Sequence, residues 1–560
     1  MNRLVNSFAT QEGGVVVYNL PYGDVLNTRD QYRKSYNFRQ QLSFDHTVAG
    51  RHNVSAIVGT ETRENKLEMH RNAYYNYNDR ALTSGAVNEA MLIEGLTNVF
   101  GDYSSASNPA AFYETKNRYV SVYGNASYTY DSRLSATFSM RWDRSNLWGT
   151  SNQYQNKPIW SVGGSWNLSN EPFMKRHTWV NMLKLRATYG ITGNVNPTYS
   201  PYLVTYSGTD YNTGQPYQYV ATRPNSDLSW EKTKVTNIGL DFALLKNRLR
   251  GTVDYYNKYG ERLLATTQGV PTEGYGYSSY AINNGEMRNR GLEITLQGDV
   301  LRTEELTWTL NGMLALNQNR VMYVNVKAPV YFLALDHSTA YPTIGDQYGA
   351  LYGYAWGGLN SEGLPQVYDE QGRLTTTAPT SLDAIRCIGN AMPTYSGSFG
   401  TTVSWRGFDL SLLFTYEGNY KQRNANMPFL NYGYASGIGY VSRLSKLGSG
   451  IAARWRQAGD ERTTEVPRAA FAEAGLPLTS LYSTYYYSSA NLLDASHVRL
   501  SNVALAYRLP RALVRKAWLS SARVQLNIEN PCLWAKSSHA KYQLGGYNAT
   551  TYVLGVFLNF

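Results

Sequence analysis

The residues of this sequence that could do chemistry are basic and aromatic. One stretch contains Arg454, Trp455 and Arg456 and is followed by Arg462 and Arg468. Guanidinium groups pair with anions and stack on aromatic rings, so this stretch suits contact with a substrate or a partner. A folded loop with solvated charges would show the same pattern, and the sequence leaves both interpretations open.

Two clusters of tyrosine suggest recognition by stacking. Tyr485, Tyr486 and Tyr487 are consecutive, and residues 74–77 read YYNY. The faces of tyrosine rings can stack on sugar rings, and they can equally pack inside a folded loop. The three consecutive tyrosines are therefore candidate substrate or partner residues, with loop packing as the alternative.

Motifs for covalent or metal chemistry do not accompany these clusters. The seven histidines form no HExxH spacing, and the sequence has neither a P-loop nor a GxSxG nucleophile elbow. The two cysteines, Cys387 and Cys532, lie far apart and exclude both a disulfide framework and a multi-cysteine metal site. The sequence predicts non-covalent binding without a cofactor, and not an enzyme.

The composition limits the class of protein further. Charged residues make up 17% of the 560 residues, below the roughly 25% of soluble proteins, whereas aromatic residues reach 14%, including 48 tyrosines. This composition excludes a disordered chain, and the lack of an apolar run of about 18 residues excludes a helical membrane bundle. Lysine and arginine give a net charge of +11 but are scattered singly, so we expect no nucleic-acid partner.

Alternation of apolar and polar residues is the strongest pattern. In residues 119–130 one face carries valine, glycine, alanine and tyrosine at even positions, and the other carries mainly serine, asparagine and threonine. The alternation lasts about ten residues, the length of a tilted strand that crosses a membrane. The pattern predicts fifteen strands, at 38–49, 53–63, 117–130, 133–142, 160–168, 182–190, 235–243, 248–257, 290–299, 306–317, 396–405, 408–416, 497–508, 523–530 and 551–560.

The connections between these strands alternate in length. The short ones are at 50–52, 131–132, 244–247, 300–305 and 406–407, and the long ones span 64–116, 191–234, 258–289, 318–395 and 417–496. An outer-membrane barrel has this asymmetry, because its turns are tight on one side and its loops are long on the other. We therefore predict an all-β fold, a transmembrane antiparallel β-barrel.

Aromatic residues near the predicted strand ends support the barrel. Membrane barrels place aromatic girdles at the headgroup level. The residues concerned are Trp142, Trp148, Trp160, Trp166, Tyr189, Trp230, Trp308, Trp405 and Tyr416. The final strand puts Tyr552 and every second residue up to Phe560 on one apolar face, and we predict that this strand with its terminal aromatic residue is an assembly signal.

Several segments resemble one known family in the same order along about 350 residues. They include RATYGITGN at 186–194, NGEMRNRGLE at 284–293, RWRQAGD at 454–460 and DASHVRL at 494–500. Shorter matches lie at 230–233, 237–240, 251–256, 389–390, 407–410, 466–468 and 530–531. The chain resembles the C-terminal barrel portion of SusC/RagA-type, TonB-linked outer-membrane transporters of Bacteroidetes.

The resemblance implies a location in the outer membrane and a set of partners. Members of the family have a barrel of about 22 strands around a plug domain, a TonB-contact segment, and a SusD-like surface lipoprotein that captures glycans or peptides. We therefore expect residues 1–560 to be the C-terminal part of such a barrel, with 15–16 strands and without the plug, TonB box and signal peptide. Membrane lipid and lipopolysaccharide would contact its outside.

Three functions remain open from the sequence. The first is a TonB-dependent importer of oligosaccharides or peptides, and the second is a passive outer-membrane pore or a truncated fragment without function. The third is a soluble all-β glycan-binding module such as a propeller. A propeller would show blade-sized internal repeats, and the sequence shows none.

Overall fold

One large antiparallel sheet of 15 strands dominates the computed structural model. The structure describes residues 2–106, 110–147, 158–194, 196, 199, 201–210, 213, 215–268, 272, 279–425, 427–428, 449–469, 476–545 and 549–560. We call the large sheet the wall. Its strands are β1 Asp24–Val48, β2 His52–Tyr77, β3 Ala111–Tyr130, β4 Leu134–Ser145, β5 Ile159–Asn167, β6 Val180–Asn194, β7 Glu231–Leu244, β8 Leu249–Gln268, β9 Ser279–Arg302, β10 Leu306–Val324, β11 Tyr395–Trp405, β12 Phe408–Gly418, β13 His497–Arg508, β14 Ser521–Ala535 and β15 Thr551–Asn559.

Each strand of the wall pairs with the next one along the chain. The connections alternate between two ends of the sheet, which we call the turn end and the loop end. Turn-end connections are as short as residues 406–407, whereas loop-end connections are as long as 419–496. Among the described residues, β1 and β15 form the two edges and do not pair with each other. No helix in the described part of the chain has the length and apolar character needed to cross a membrane.

All fifteen predicted strands are present, and several are far longer than predicted. β2 has 26 residues and β9 has 24, against predictions of about ten. At about 3.3 Å per residue β2 is roughly 85 Å long, more than twice the ~30 Å of a bilayer core. Beyond residue 60 both faces are mostly polar, with Leu67 and Met69 as exceptions, so the regular hydrophobic pattern stops while the strand continues.

Two predicted connections are wrong for this reason. Most of 258–289 is strand, because β8 runs to Gln268 and β9 begins at Ser279. Part of 64–116 belongs to β2 and β3. Among the described residues the wall has no sixteenth strand before residue 38, because residues 24–37 are the first half of β1.

The two faces of the wall differ in chemistry. Ala187 lies opposite Ile238, Ile238 opposite Tyr255, and Tyr255 opposite Leu292. One residue along, the other face carries Arg186, Asp254 and Glu293 in the adjacent register. Because neighbouring residues of a strand point to opposite faces, an apolar face and a polar face result.

Tight turns close the turn end. Asp131 and Ser132 both have positive φ, as do Arg406 and Gly407. Left-handed conformation at both central residues is typical of the hairpin turn whose twist matches that of the flanking strands. These turns fix the register of the hairpins and so keep the apolar residues on one face.

Aromatic residues lie at both ends of the membrane-length part of the wall. Trp166, Trp308 and Trp405 lie within three residues of the turn-end termini of their strands. Trp160 and Tyr189 contact each other farther toward the loop end, with ring centroids 5.8 Å apart. Trp148 lies outside the described residues.

The last strand has the predicted face. Tyr552 lies opposite Ile528 and Leu554 opposite Leu526, so its apolar residues continue the apolar face of β14. Phe560 follows β15 and is almost fully exposed. Its function as an assembly signal stays a prediction.

The two longest loop-end connections fold together. We call residues 325–394 together with 419–428, 449–469 and 476–496, as far as they are described, the outer unit. Its helices are Tyr331–Asp336 and Leu478–Tyr486, and its 3-10 turns are Leu382–Ala384, Ser449–Ala453, Asp460–Arg462 and Ser489–Asn491. Its strands are Leu351–Gly353, Trp356–Leu359, Pro365–Tyr368, Leu374–Thr375, Arg386–Gly389, Lys421–Arg423 and Leu492–Asp494.

Residues 2–23 form a small unit at the loop end of β1 and β2. Val5, Phe8 and Leu20 are buried against Leu92 from the connection that follows β2. Its elements are the helices Asn2–Ser7 and Glu89–Glu94 and the strands Ala9–Glu12, Val15–Tyr18, Leu96–Thr97 and Tyr103–Ser104. This small hydrophobic cluster therefore holds residues 2–23 among the loop-end connections.

The remaining elements are short. Strands Val204–Thr209 and Pro216–Thr222 form a hairpin between β6 and β7. Helices Arg511–Val514 and Ser538–Gln543 and the 3-10 turns Leu168–Asn170, Met174–Arg176 and Arg515–Ala517 connect strands of the wall.

A charge on the apolar face should cost more than the same charge on the polar face. Ala187 points to the apolar face between the levels of Trp166 and Trp160, and Thr188 points to the polar face. Because the apolar face is predicted to contact lipid, we expect Ala187→Arg to lower the free energy of unfolding by about 2–4 kcal/mol. Denaturant unfolding in lipid vesicles measures the effect, and Thr188→Arg is the matched control. Equal losses in the two variants would contradict the assignment of the faces.

Candidate functional site

The polar face of the wall carries networks of charged residues. Arg186 on β6 binds Asp241 on β7 with a distance of 2.7 Å from Nε to Oδ2. The same guanidinium reaches Asp254 on β8, with 3.1 Å from Nη2 to Oδ1. One cation therefore joins two carboxylates across three neighbouring strands.

Gly239 makes room for this network. It lies opposite both Arg186 and Asp254 on the neighbouring strands. A Cβ atom at this position would lie only 2.7 Å from Nη2 of Arg186. Glycine weakens a strand, so its presence here is explained by the close approach of the guanidinium group.

A second network lies on β1 to β4. Arg141 binds Asp143 at 2.8 Å and Glu61 at 3.2 Å, and its Nη2 donates to Oγ of Ser121 at 2.8 Å. Nearby, the guanidinium of Arg39 lies 4.9 Å from the ring centre of Tyr123. The polar face thus offers charged and aromatic groups to molecules on that side of the wall.

The outer unit is held by two hydrophobic clusters. One contains Leu364, Met427, Leu481 and Tyr485. The other contains Leu335, Tyr354, Val367 and Ala384. The first cluster combines residues of both long connections. Tyr487, from the later connection, packs against the second cluster, so the two loops form one folded unit.

The three consecutive tyrosines are part of this packing. Tyr485 is only 3% exposed, and its ring centre lies 5.6 Å from that of Trp356. Tyr487 donates its hydroxyl hydrogen bond to Asp336 at 2.6 Å, and Tyr486 is partly exposed and stacks on Tyr482. Loop packing therefore accounts for Tyr485 and Tyr487, and Tyr486 retains some surface for a ligand.

Arg423 joins the tyrosines to the neighbouring strand. It donates to the carbonyl oxygens of Tyr486, at 3.1 Å, and of Tyr352. Its guanidinium also lies 5.1 Å from the ring centre of Tyr487. Burial lowers the pKa of Arg423, and the nearby tyrosines and Asp336 oppose this effect.

The basic stretch is less exposed than its composition suggests. The ring of Trp455 covers Gly363, and its Nε1 donates to Glu461 at 3.0 Å. Arg454 is partly buried, whereas Arg456 is exposed and donates from Nη2 to the carbonyl of Ala452 at 3.1 Å. Arg456 is therefore the member of the stretch that is best placed to contact another molecule.

The sequence pattern did not single out the charge networks of the polar face. The acidic partners of Arg186 are 55 and 68 residues away in sequence, and only the strand register brings them together. The exposed hairpin between β6 and β7 was also missed, although its tyrosines alternate along the chain. Among the described residues, no group of three or more histidine, cysteine, aspartate or glutamate residues is placed to hold a metal ion.

Asp494 anchors the outer unit to neighbouring loops. Its carboxylate binds Lys536 at 2.8 Å and Lys421 at 3.4 Å, and accepts from Oγ of Ser496 at 2.6 Å. Burial alone would raise the pKa of Asp494, but these hydrogen bonds and charges outweigh it and hold the pKa well below its ordinary value.

This anchor should make the outer unit sensitive to acid. A carboxyl whose pKa is lower in the folded than in the unfolded state stabilises the fold above the unfolded pKa of about 3.9. That contribution is lost as the pH falls through the folded pKa. In the wild type we expect the urea concentration at the midpoint of unfolding to fall as the pH is lowered below about 4. In Asp494→Asn this concentration should depend less on pH. The exposed Asp383→Asn is the control, and an unchanged pH dependence in Asp494→Asn would exclude the anchor.

Comparison with known proteins shows which family the chain resembles. The family described as TonB dependent receptor-like, beta-barrel, matches residues 3–530. TonB-dependent receptor P3 of Formosa agariphila is 29% identical over 451 residues, which cover 75% of this chain and 41% of that protein. TonB-dependent receptor SusC of Bacteroides thetaiotaomicron is 33% identical over 217 residues, covering 37% of this chain and 21% of SusC.

A solved structure has the same fold. The structure of the RagAB peptide transporter superposes with a TM-score of 0.75 at 22% identity, covering 96% of this chain and 56% of that chain. The chain thus spans about half the length of that protein and less than half of the Formosa receptor. The family match spans nearly the whole chain, and it confirms the resemblance seen in the sequence. The chain belongs to the TonB-dependent receptor-like β-barrel family of outer-membrane proteins.

Proposed function

We propose that the chain forms the wall of an outer-membrane nutrient importer that works with TonB and a SusD-like surface lipoprotein. Its substrates would be oligosaccharides or peptides, bound non-covalently by the outer loops and the polar face. The importer would need no cofactor and catalyse no reaction on its substrate.

One observation carries the proposal. The wall has an apolar face suited to lipid and a polar face lined by Arg39, Arg141 and Arg186 with their partners. The interior of an outer-membrane barrel is polar, whereas its outside is apolar over the membrane. A polar interior lets hydrated molecules pass or lets another domain of the protein pack there.

The relatives support a role in uptake. SusC is a TonB-dependent receptor, and the RagAB structure is that of a peptide transporter. By analogy this chain would pair with a lipoprotein that closes the loop end, and it would take energy from TonB. Lipid and lipopolysaccharide would cover the apolar face.

The candidate loop residues have different roles in this proposal. Arg456 is exposed and would contact the lipoprotein, a substrate or an anionic lipid group, whereas Arg454 and Trp455 would hold the loop in place. Tyr486 would be the tyrosine that a ligand can reach, supported by Tyr485 and Tyr487.

Energy-dependent uptake tests the proposal. Cells that carry the gene and cells that lack it are given radiolabelled maltoheptaose or a labelled tryptic digest of casein. We expect gene-dependent uptake of at least one probe, and we expect a protonophore to abolish it because TonB uses the proton-motive force.

The controls separate the importer from the other functions. Gene-dependent uptake that continues with the protonophore would mean a passive pore. Uptake that does not depend on the gene, for both probes, would contradict import of these two classes. Outer-membrane integrity is checked in parallel with a dye that the intact membrane excludes.

A further inference from the structure

A hairpin stands apart from the wall and the outer unit. Its strands, Val204–Thr209 and Pro216–Thr222, pair only with each other and form a two-stranded sheet. It lies in the connection between β6 and β7, at the loop end. We call it the tyrosine hairpin.

One face of the tyrosine hairpin consists mainly of tyrosine. Tyr206 lies opposite Tyr219, and Gly208 lies opposite Tyr217. The side chains of Tyr206, Tyr217 and Tyr219 are 58%, 45% and 50% exposed. We call these three residues the tyrosine platform. The opposite face carries Thr205, Ser207 and Gln218.

Gly208 makes room for one ring of the platform. A Cβ atom at this position would lie 2.8 Å from Cζ of Tyr217, so the ring of Tyr217 lies directly over the glycine. The ring centres of Tyr217 and Tyr219 are 6.0 Å apart with 34° between their planes. Tyr206 meets Tyr219 at 5.8 Å, edge to face. Three neighbouring rings therefore form one continuous aromatic surface.

The platform is not needed to hold the hairpin in place. At the base of the hairpin Asn225 donates to the carbonyl of Ala281 at 2.9 Å, and the backbone N–H of Ser229 donates to Asn283 at 2.7 Å. At the tip the backbone N–H of Thr213 donates to Asp210 at 2.8 Å. Since polar contacts fix both ends, the three exposed rings are available to a ligand.

The surroundings define what kind of ligand fits. No charged residue lies on the platform face of the two strands, and Arg223 beyond them covers Tyr280 at 3.8 Å from the ring centre. Contiguous exposed aromatic surfaces are typical of interaction sites. The negative faces of the rings attract the polarised C–H groups of a pyranose ring, and each phenol hydroxyl can exchange hydrogen bonds with sugar hydroxyls.

We propose that the tyrosine platform captures neutral sugar chains outside the barrel, with successive pyranose rings stacked on its tyrosines. The spacing of the rings is comparable with the length of one sugar residue in an extended chain. The platform face offers no charged side chain to pair with the ionised groups of a peptide, which favours a neutral ligand. The inference rests on the proposed import function and names oligosaccharides as the substrate class.

Binding to defined polysaccharides tests this inference. The full-length protein, purified in detergent, is titrated with soluble starch, a β-1,3-glucan and a mannan. Polygalacturonate and a tryptic digest of casein serve as charged and peptide probes. We expect at least one neutral glycan to bind, and we expect the variant with Tyr206→Ala, Tyr217→Ala and Tyr219→Ala to lose about tenfold or more in affinity.

Two further variants make the result specific. Replacement of the same three tyrosines by phenylalanine should retain most of the affinity, because stacking depends on the ring face. The variant Thr205→Ala, Ser207→Ala and Gln218→Ala changes the opposite face and should bind as the wild type does. All the substituted residues are exposed at the surface. An unchanged shift of the protein band on heating, seen by gel electrophoresis, confirms that each variant is folded.

Several outcomes would overturn the inference. Wild-type affinity in the alanine variant would exclude the platform as the site, and binding of the peptide digest alone would exclude glycans as its ligand. If the alanine variant no longer co-purifies with a lipoprotein but keeps its affinity for glycans, the platform binds the lipoprotein and not the glycan. Glycan binding without energy-dependent uptake would refute only the import function. Energy-dependent uptake that is unchanged by the three alanine substitutions would refute only the role of the platform.

Discussion

The pairing of every backbone amide and carbonyl within lipid is the constraint on which the structure depends. An unpaired group in hydrocarbon costs several kcal/mol, so a strand that crosses the membrane needs a neighbour on each side. Thirteen of the fifteen strands of the wall have such neighbours, and among the described residues the edge strands β1 and β15 are paired on one side. The period of two along each strand follows, because one face must be apolar over the membrane and the other is free to be polar. The short turns then fix the register that keeps the two faces separate.

The polar face uses this freedom for ion networks that the register assembles. Arg186 meets Asp241 and Asp254 only because β6, β7 and β8 are aligned, with Gly239 between them. Carboxylates placed this close would repel each other without the guanidinium between them. The same alignment that satisfies the backbone therefore also reduces the repulsion between the two carboxylates, and it leaves a polar surface that can face water.

The sequence alone predicted the positions of the strands of the wall well and their lengths poorly. Alternation located all fifteen strands because lipid imposes it, but it did not predict that β2 and β9 extend far into water, where neither face must be apolar. The candidate site was harder to predict. Tyr485 sits in a cluster with Leu481, and its burial depends on contacts with the distant Leu364 that no local pattern records. Arg456 is exposed whereas Arg454 is partly buried, and the folding of two long loops decides this difference.

The long connections differ in how easily their residues can be substituted without loss of stability. The two longest share hydrophobic clusters, and backbone hydrogen bonds join Tyr354 to Tyr487 and Ser489, so neither loop can open without exposing residues such as Leu481. Substitutions of the buried residues of this unit affect its stability before they affect any ligand. The tyrosine hairpin has no such dependence, since its strands pair only with each other. A change on its exposed face alters recognition and leaves the wall and the outer unit intact. Substrate preference can therefore diverge most readily at this hairpin, because function is carried by loops on a rigid scaffold.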